Sequence, residues 1–379
     1  MADRETEILA RIATGVAAID AAQWDALSDG GDPFLSHAFL AALEESGSVG
    51  PGTGWSPAPI TVEEDGRLMA AAPAYLKSHS QGEYVFDHGW ADAYQRAGGA
   101  YYPKLQVAVP FTPVPGARLL GERPQQLLTA LETMVVQNAL SSAHITFLDE
   151  ADAAQCEARG WLIRDGLQYH WFNRGYASFD DFLATLSSRK RKQIRKERRE
   201  AAVGLEFVTL RGAEIGRAEW DAMWAFYQDT GSRKWGHPYL TRAFFDRIAE
   251  TMGDRLLLFL ALLDGRPIAG ALNLIGSGTL YGRYWGTTDE VPFLHFELCY
   301  YRAIDWAIEH GLTQVQAGAQ GEHKLARGYE PVVTRSAHFL ADPVLRAAVK
   351  RYLDGEREAI SQEARWLAEA LPYRSSESA

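Results

Sequence analysis

The sequence predicts an α+β protein made of two tandem copies of one unit, each a mixed, mostly antiparallel sheet covered by helices. Three observations carry this. First, "PFLSHAFLAALEES" (33–46) returns as "PYLTRAFFDRIAET" (238–251). Second, further pairs follow the same order. "IDAAQWDAL" (19–27) matches "IGRAEWDAM" (215–223), "DGRLMAAA" (65–72) matches "DGRPIAGA" (264–271), and "VPF" recurs at 109–111 and 291–293. "ARGWLIRDGLQYHWF" (158–172) parallels "ARGYEPVVTRSAHFL" (326–340), which pairs His170 with His338. A fixed order at such long range marks duplicated domains rather than a short-period solenoid. Third, each copy reads as helices, then strands separated by tight turns, then a helix and a last strand.

The elements follow in order. Ser36 and Thr241 sit where a hydroxyl caps the helix after each repeated stretch. Asp65-Gly66 and Asp264-Gly265 are hairpin turns. In the second copy the strands fall at 255–263, 267–275 and 279–285, with Gly276-Ser277-Gly278 as the second turn. A helix then opens with Pro292 in its first turn. It carries the stripe Leu294, Leu298, Tyr301, Ile304 and Ile308, and ends at Gly311 before a strand at 313–318. The first copy has its meander at about 58–88, its helix at about 123–139 and its strand at 143–148. The expected domains are 1–175 and 176–379, and a length of 379 residues suits two. This order resembles the GNAT superfamily of N-acyltransferases, in which the third and last core strands splay apart and the acyl donor enters the wedge.

Composition narrows the setting. The start, "MADRETEILARIATG", is charged where a signal peptide is apolar, and no uncharged apolar run reaches the about 18 residues of a spanning helix. Cys156 and Cys299 make no disulfide framework, so the expected location is the cytoplasm, with peripheral contact at the inner membrane face. A net charge of −11 argues against indiscriminate binding to nucleic acid or anionic lipid. Against it "RKRKQIRKERR" (189–199) holds eight basic residues and one Glu, leaving the rest near −18. Arg189, Lys190 and Lys192 are therefore expected to hold phosphate; a merely solvated helix face is the plain alternative.

Candidate chemistry lies where the copies differ. After its last strand the second copy reads "GAQGEHKLARGY" against "DAAQC" in the first, so Gln320, Glu322, His323 and Lys324 have no counterparts of like chemistry. An amine attacking a carbonyl needs a base, for which Glu322 or His323 would serve. The oxyanion needs donors, for which Lys324 and the backbone of "GRYWG" (282–286) would serve. Arg283, Tyr284 and Trp285 are expected to line the donor wedge, with Arg327, His295 and Glu297 as further binding residues. The opposing view is that the polar run only braces a helix start. The first copy's insertion at 89–120 reads as an ordered ligand-facing loop or a core-covering flap, with Asp87, His88, Tyr101, Tyr102 and Lys104 directed at the acceptor. His295 and Cys299, spaced i, i+4, raise a covalent acyl-enzyme, against the commoner reading of a small core cysteine. His295, Glu297, Glu322 and His323 match no strong zinc spacing, and no metal is expected.

"DHGWADAYQRAGGAYYPKLQVAVPFTPVPG", "LSSRKRKQIRKERR", "DTGSRKWGHPYLTRAFF", "YGRYWG", "HFELCYY" and "GAQGEHKLARGYEP" together resemble the FemAB-like group, N-acyltransferases labelled for peptidoglycan biosynthesis or recognition. The resemblance covers most of the chain. It implies a tandem GNAT-like pair, as in the Fem aminoacyltransferases that move amino acids from aminoacyl-tRNA to a peptidoglycan precursor. Before the central helix stands "TTDEVPFLHFE" (287–297) in place of the Gly-rich pyrophosphate loop of acetyl-CoA-dependent GNAT enzymes. The expected activity is N-acyl transfer from acyl-CoA or acyl carrier protein as co-substrate, with no tightly bound cofactor, to the amine of a lipid or cell-envelope precursor. The alternatives are a Fem-type transferase using aminoacyl-tRNA and a non-catalytic module that binds an envelope precursor. One basic helix is a narrow surface for tRNA, which places tRNA second.

Overall fold

The structure is a computed structural model that describes residues 8–235, 238–318 and 321–374. It forms two compact units. One comprises the chain up to Gly166 together with Val333–Gln362; the other comprises Leu167–Val332 and the chain from Glu363 on. The closing strand of each unit thus comes from the other sequence copy.

In the first unit the expected meander is split between two sheets. Ile60–Glu64 and Arg67–Ala72 join through Asp65 and Gly66, whose φ values of 49° and 80° make the turn that twists with the strands. They lie with Ile8–Ile12 and Leu120–Gly121. Pro73 has no N–H for a ladder, and the chain passes there into the second sheet as Ala74–Lys77. That strand pairs with Trp55–Pro57 and with Lys104–Val107, which runs parallel to Ser142–Leu148. The end of Glu330–Leu340 closes this sheet antiparallel to Ser142–Leu148, setting His338 opposite His144. Helix Pro124–Gln137 buries Leu127, Leu128, Leu131 and Val135 against it.

The second unit keeps the meander whole. Glu206–Arg211, Leu256–Leu263, Arg266–Ile275 and Thr279–Thr287 are antiparallel in turn, joined in part through Asp264-Gly265 with φ values of 52° and 76°. Gln314–Gln316 then runs parallel to the last of them, and the end of Leu162–Phe172 closes the sheet, with His170 opposite Gln316. The two histidines paired by sequence repeat therefore hold equivalent ladder positions.

Both predicted caps form: the Ser36 and Thr241 hydroxyls accept from Phe39 and Phe244 N–H, each at 3.3 Å. The central helix of the second unit departs from expectation. It begins at Leu294, after Phe293 in the left-handed region (φ 62°), rather than at Pro292. It continues as a π-helical turn over Glu297–Tyr301 before regular α-helix at Arg302–Glu309. The predicted stripe is still wholly buried. In the first copy's insertion, expected as an ordered ligand-facing loop or a core-covering flap, the chain forms helix His88–Arg96 and the buried strand Lys104–Val107.

Candidate functional site

The second unit contains a wedge between strands. Thr279–Thr287 pairs with Gln314–Gln316 only at Thr279, Leu280 and Tyr281, and from Gly282 onward its other edge is released. The strand alternates faces as it leaves. Tyr284 turns into the core against Tyr227 and Phe245, with ring centroids 5.6 Å away in each case. Trp285 turns the other way and stands 5.2 Å from the His295 ring. Gly286 is required where it is, since a Cβ there would lie 2.1 Å from the Phe226 carbonyl oxygen of helix Arg217–Trp235.

Beyond Gln316 the chain turns at Gly318 (φ 77°) and enters the short 3₁₀ helix Glu322–Arg327 through Gly321 (φ 119°). Within this helix Lys324 is 1% exposed, and its Nζ donates to the Gly318 carbonyl at 2.7 Å. No acidic side chain pairs with it among the described residues, and burial lowers its pKa to about 8, with Cys299 nearby offsetting a little of that. His323 and Glu322 are exposed. His323 Nε2 shares a 2.8 Å hydrogen bond with the Tyr300 hydroxyl, whose pKa burial raises strongly. The short helix past the wedge thus carries a buried lysine next in sequence to an exposed imidazole that is bonded to a buried phenol.

The predicted residues Glu297 and Arg327 sit in buried ion pairs behind this group. Arg327 donates to Glu197 at 2.9 Å, to the Tyr301 hydroxyl at 3.0 Å and to the His323 carbonyl at 2.7 Å, and its guanidinium lies 3.4 Å from the Phe296 ring centre. Tyr301 also donates to Glu197. Glu297 accepts both forks of Arg198 at 3.0 Å and stands 3.2 Å from Arg302. These pairs hold the π turn and the 3₁₀ helix in place, a fork geometry suited to arginine and carboxylate. Irregular π turns of this kind are frequent at functional sites.

A cavity of about 490 Å³ opens at the start of the central helix, lined by Thr230, Trp285, Thr287, Asp289, Glu290, Val291, Pro292, Leu294 and His295. Its walls are apolar and aromatic, its lining includes two acids, and no Lys or Arg among the described residues lines it. A helix start normally attracts anions. Here Glu290 and Asp289, the latter 3.5 Å from Arg266, stand in the lining instead of the glycines of a phosphate loop.

The remaining predicted residues fall elsewhere. Gln320 lies outside the described residues. Arg283 reaches over the Tyr284 ring at 5.6 Å. Arg189 and Lys192 are exposed and Lys190 half-buried on helix Ser188–Ala201. Cys299 is half-buried in the π turn, while the His295 ring rests against Trp285 and Tyr300 at 5.2 Å each. No cluster of three or more His, Cys, Asp or Glu able to hold a metal occurs among the described residues. Sequence reasoning overlooked Glu197, whose signal was its solitude in a basic run, and Tyr300, Asp289 and Glu290, which carry no local signal.

In the first unit, Asp87, Tyr101 and Lys104 are brought together and sealed. Lys104 is 0% exposed and donates to Glu83 at 2.7 Å, to Ser80 at 2.9 Å and to Asp87. Burial pulls its pKa down, but Glu83 and Asp87 outweigh that and hold it above the ordinary lysine value. Burial alone would raise Asp87; the Lys104 ammonium, by its charge and hydrogen bond, holds it well below the usual carboxylate range. Tyr101 donates to Asp87 at 2.7 Å, and Tyr102 meets Ser80 at 2.8 Å. His144 and His338 join through Nδ1 atoms 2.7 Å apart, and burial drives both toward neutrality. His88 is exposed at the head of its helix.

The FemAB-like family, described as peptidoglycan biosynthesis/recognition, matches residues 15–375. Among solved structures, FemX is 13% identical, with a TM-score of 0.55 over 91% of this chain and 100% of that one. L-PGS from Bacillus licheniformis is 13% identical, with a TM-score of 0.51 over 86% and 98%. A conserved protein of unknown function from Bacteroides thetaiotaomicron is 12% identical, with a TM-score of 0.51 over 87% and 99%. At such identities the likeness is one of fold. No curated protein matches the chain. No helix among the described residues is long and apolar enough to cross a membrane.

Proposed function

The chain belongs to the FemAB-like family, and from that premise we propose that it transfers an aminoacyl or other acyl group to the amine of a cell-envelope precursor on the cytoplasmic side. The observation that carries this reading is Lys324, buried with no counter-charge among the described residues, just past a splayed pair of strands. In the proposed reaction the acceptor nitrogen, freed of its proton by His323 or Glu322, bonds to the donor carbonyl carbon. The Lys324 ammonium stabilises the oxyanion in a site screened from water, where such a donor is worth most. The carbonyl then re-forms, the ester C–O or thioester C–S bond breaks, and the leaving atom takes up a proton.

Each donor has an observation in its favour. Asp289 and Glu290 in the cavity lining suit the ammonium of an aminoacyl ester, which supports aminoacyl-tRNA. The apolar wall of Trp285, Val291, Pro292 and Leu294 suits the acyl chain of a thioester on CoA or carrier protein. The test is single turnover with labelled aminoacyl-tRNA and, separately, long-chain acyl-CoA and acyl carrier protein, each with envelope-precursor amines. Amide formed from either donor, and lost in Lys324→Met, supports the reading. Binding of a precursor with no transfer from any donor would make the protein a recognition module instead.

A further inference from the structure

We propose that helix Ser188–Ala201 is a docking surface for an anionic lipid bilayer. At about 100° per residue, Arg189, Lys192, Arg195, Lys196 and Arg199 fall in one sector of about 120°, opposite the buried Ile194, Glu197 and Ala201. The stripe is about 15 Å long. Arg195 meets Asp180 at 2.8 Å and Lys196 meets Glu200 at 3.6 Å, all four side chains being exposed, so water and salt screen both pairs. Just past the helix end, Val203 is 74% exposed. A flat row of cations finished by an exposed apolar residue matches the chemistry of a headgroup layer over hydrocarbon. A folded RNA presents phosphates around a curved surface, and one helix on a chain of net charge −11 is a narrow match for it. The inner side of the same helix is fastened by Glu197 to Arg327 and Tyr301 and by Arg198 to Glu297. The docking surface is thereby rigidly joined to the elements that hold Lys324, and the inference stands whichever donor is used.

The test is co-sedimentation of the full chain with neutral phosphatidylcholine vesicles and with vesicles holding about 30% phosphatidylglycerol, at low salt and at about 0.5 M salt. The protein is expected to bind only the anionic vesicles and to be released by salt. Arg189→Glu with Lys192→Glu should lower the partition at least about tenfold, with an unchanged circular dichroism spectrum and melting temperature. The equally charged control Arg217→Glu with Arg247→Glu should leave it intact. Equal binding to both vesicle types, no binding at low salt, or an equal loss in the control would overturn the proposal. Salt-sensitive binding of total tRNA without vesicle binding would overturn it in favour of a nucleic-acid surface, and full displacement by inorganic phosphate in favour of a simple ion site.

Discussion

Each unit buries a lysine beside its parallel strand pair, and the two are handled in opposite ways. Lys104 of the first unit is enclosed by Glu83, Asp87 and Ser80, and its charge is held on above the ordinary pKa. Lys324 of the second is equally buried but, among the described residues, bonds a backbone carbonyl and no acid, and its pKa falls to about 8. Two charges removed from water need each other; a single one is tolerated only where something else selects for it. One scaffold thus supports a closed, charge-compensated polar core in one unit and a buried amine with a lowered pKa in the other, and groups perturbed in the second way cluster at functional sites.

The largest effect should come from breaking the closed side. Lys104→Met leaves Glu83 with Lys77 at 3.7 Å and Asp87 with the Tyr101 hydroxyl at 2.7 Å but no ammonium in contact, and should lose about 3–5 kcal/mol of stability in urea unfolding. A loss below about 1 kcal/mol would mean the network is not holding the unit together. Next, Lys324→Met should lower turnover about 10²–10³-fold while leaving the melting temperature unchanged or higher, because an uncompensated burial is removed. A stability loss like that of Lys104→Met would erase the contrast between the two sites.

A smaller effect lies in the pH dependence of stability. The Lys324 amine has a folded pKa of about 8 against 10.5 for the ordinary side chain, so between these values the unfolded chain binds the proton that the folded chain has released. Its contribution to stability therefore rises with pH from about 8 toward 10.5, and that rise should be missing in Lys324→Met. Turnover, if it needs the ammonium, should fall over the lower part of the same window. Cys299→Ser should change little, the thiol being a half-buried part of the π turn. A loss of about a hundredfold or more would instead bring back the covalent route.

Much of the fold was legible in the chain because its signals are local or periodic. The two hydroxyl caps, the Asp-Gly turns and the stripe from Leu294 to Ile308 each depend on a few neighbouring residues. The exchange of closing strands was not legible, because "WLIRDGLQYHWF" and "EPVVTRSAHFL" carry the same pattern and either would fit either sheet. The π turn has no local signature; it is set by packing and by the ion pairs of Glu297 and Arg327, partners about a hundred residues or more away in sequence. For the site, Lys324 and His323 stood out by contrast with the other copy. Which charged residues would pair with one another, and that Lys324 would have no acidic partner among the described residues, required the third dimension.

The most direct test is the titration of the two lysines by NMR of protein carrying ¹³C-labelled lysine, assigned with Lys104→Arg and Lys324→Arg. The account predicts that Lys324 changes charge near pH 8 while Lys104 stays protonated beyond 10.5. Both lysines titrating together at or above 10.5 would contradict it, because the second unit would then hold a compensated charge like the first.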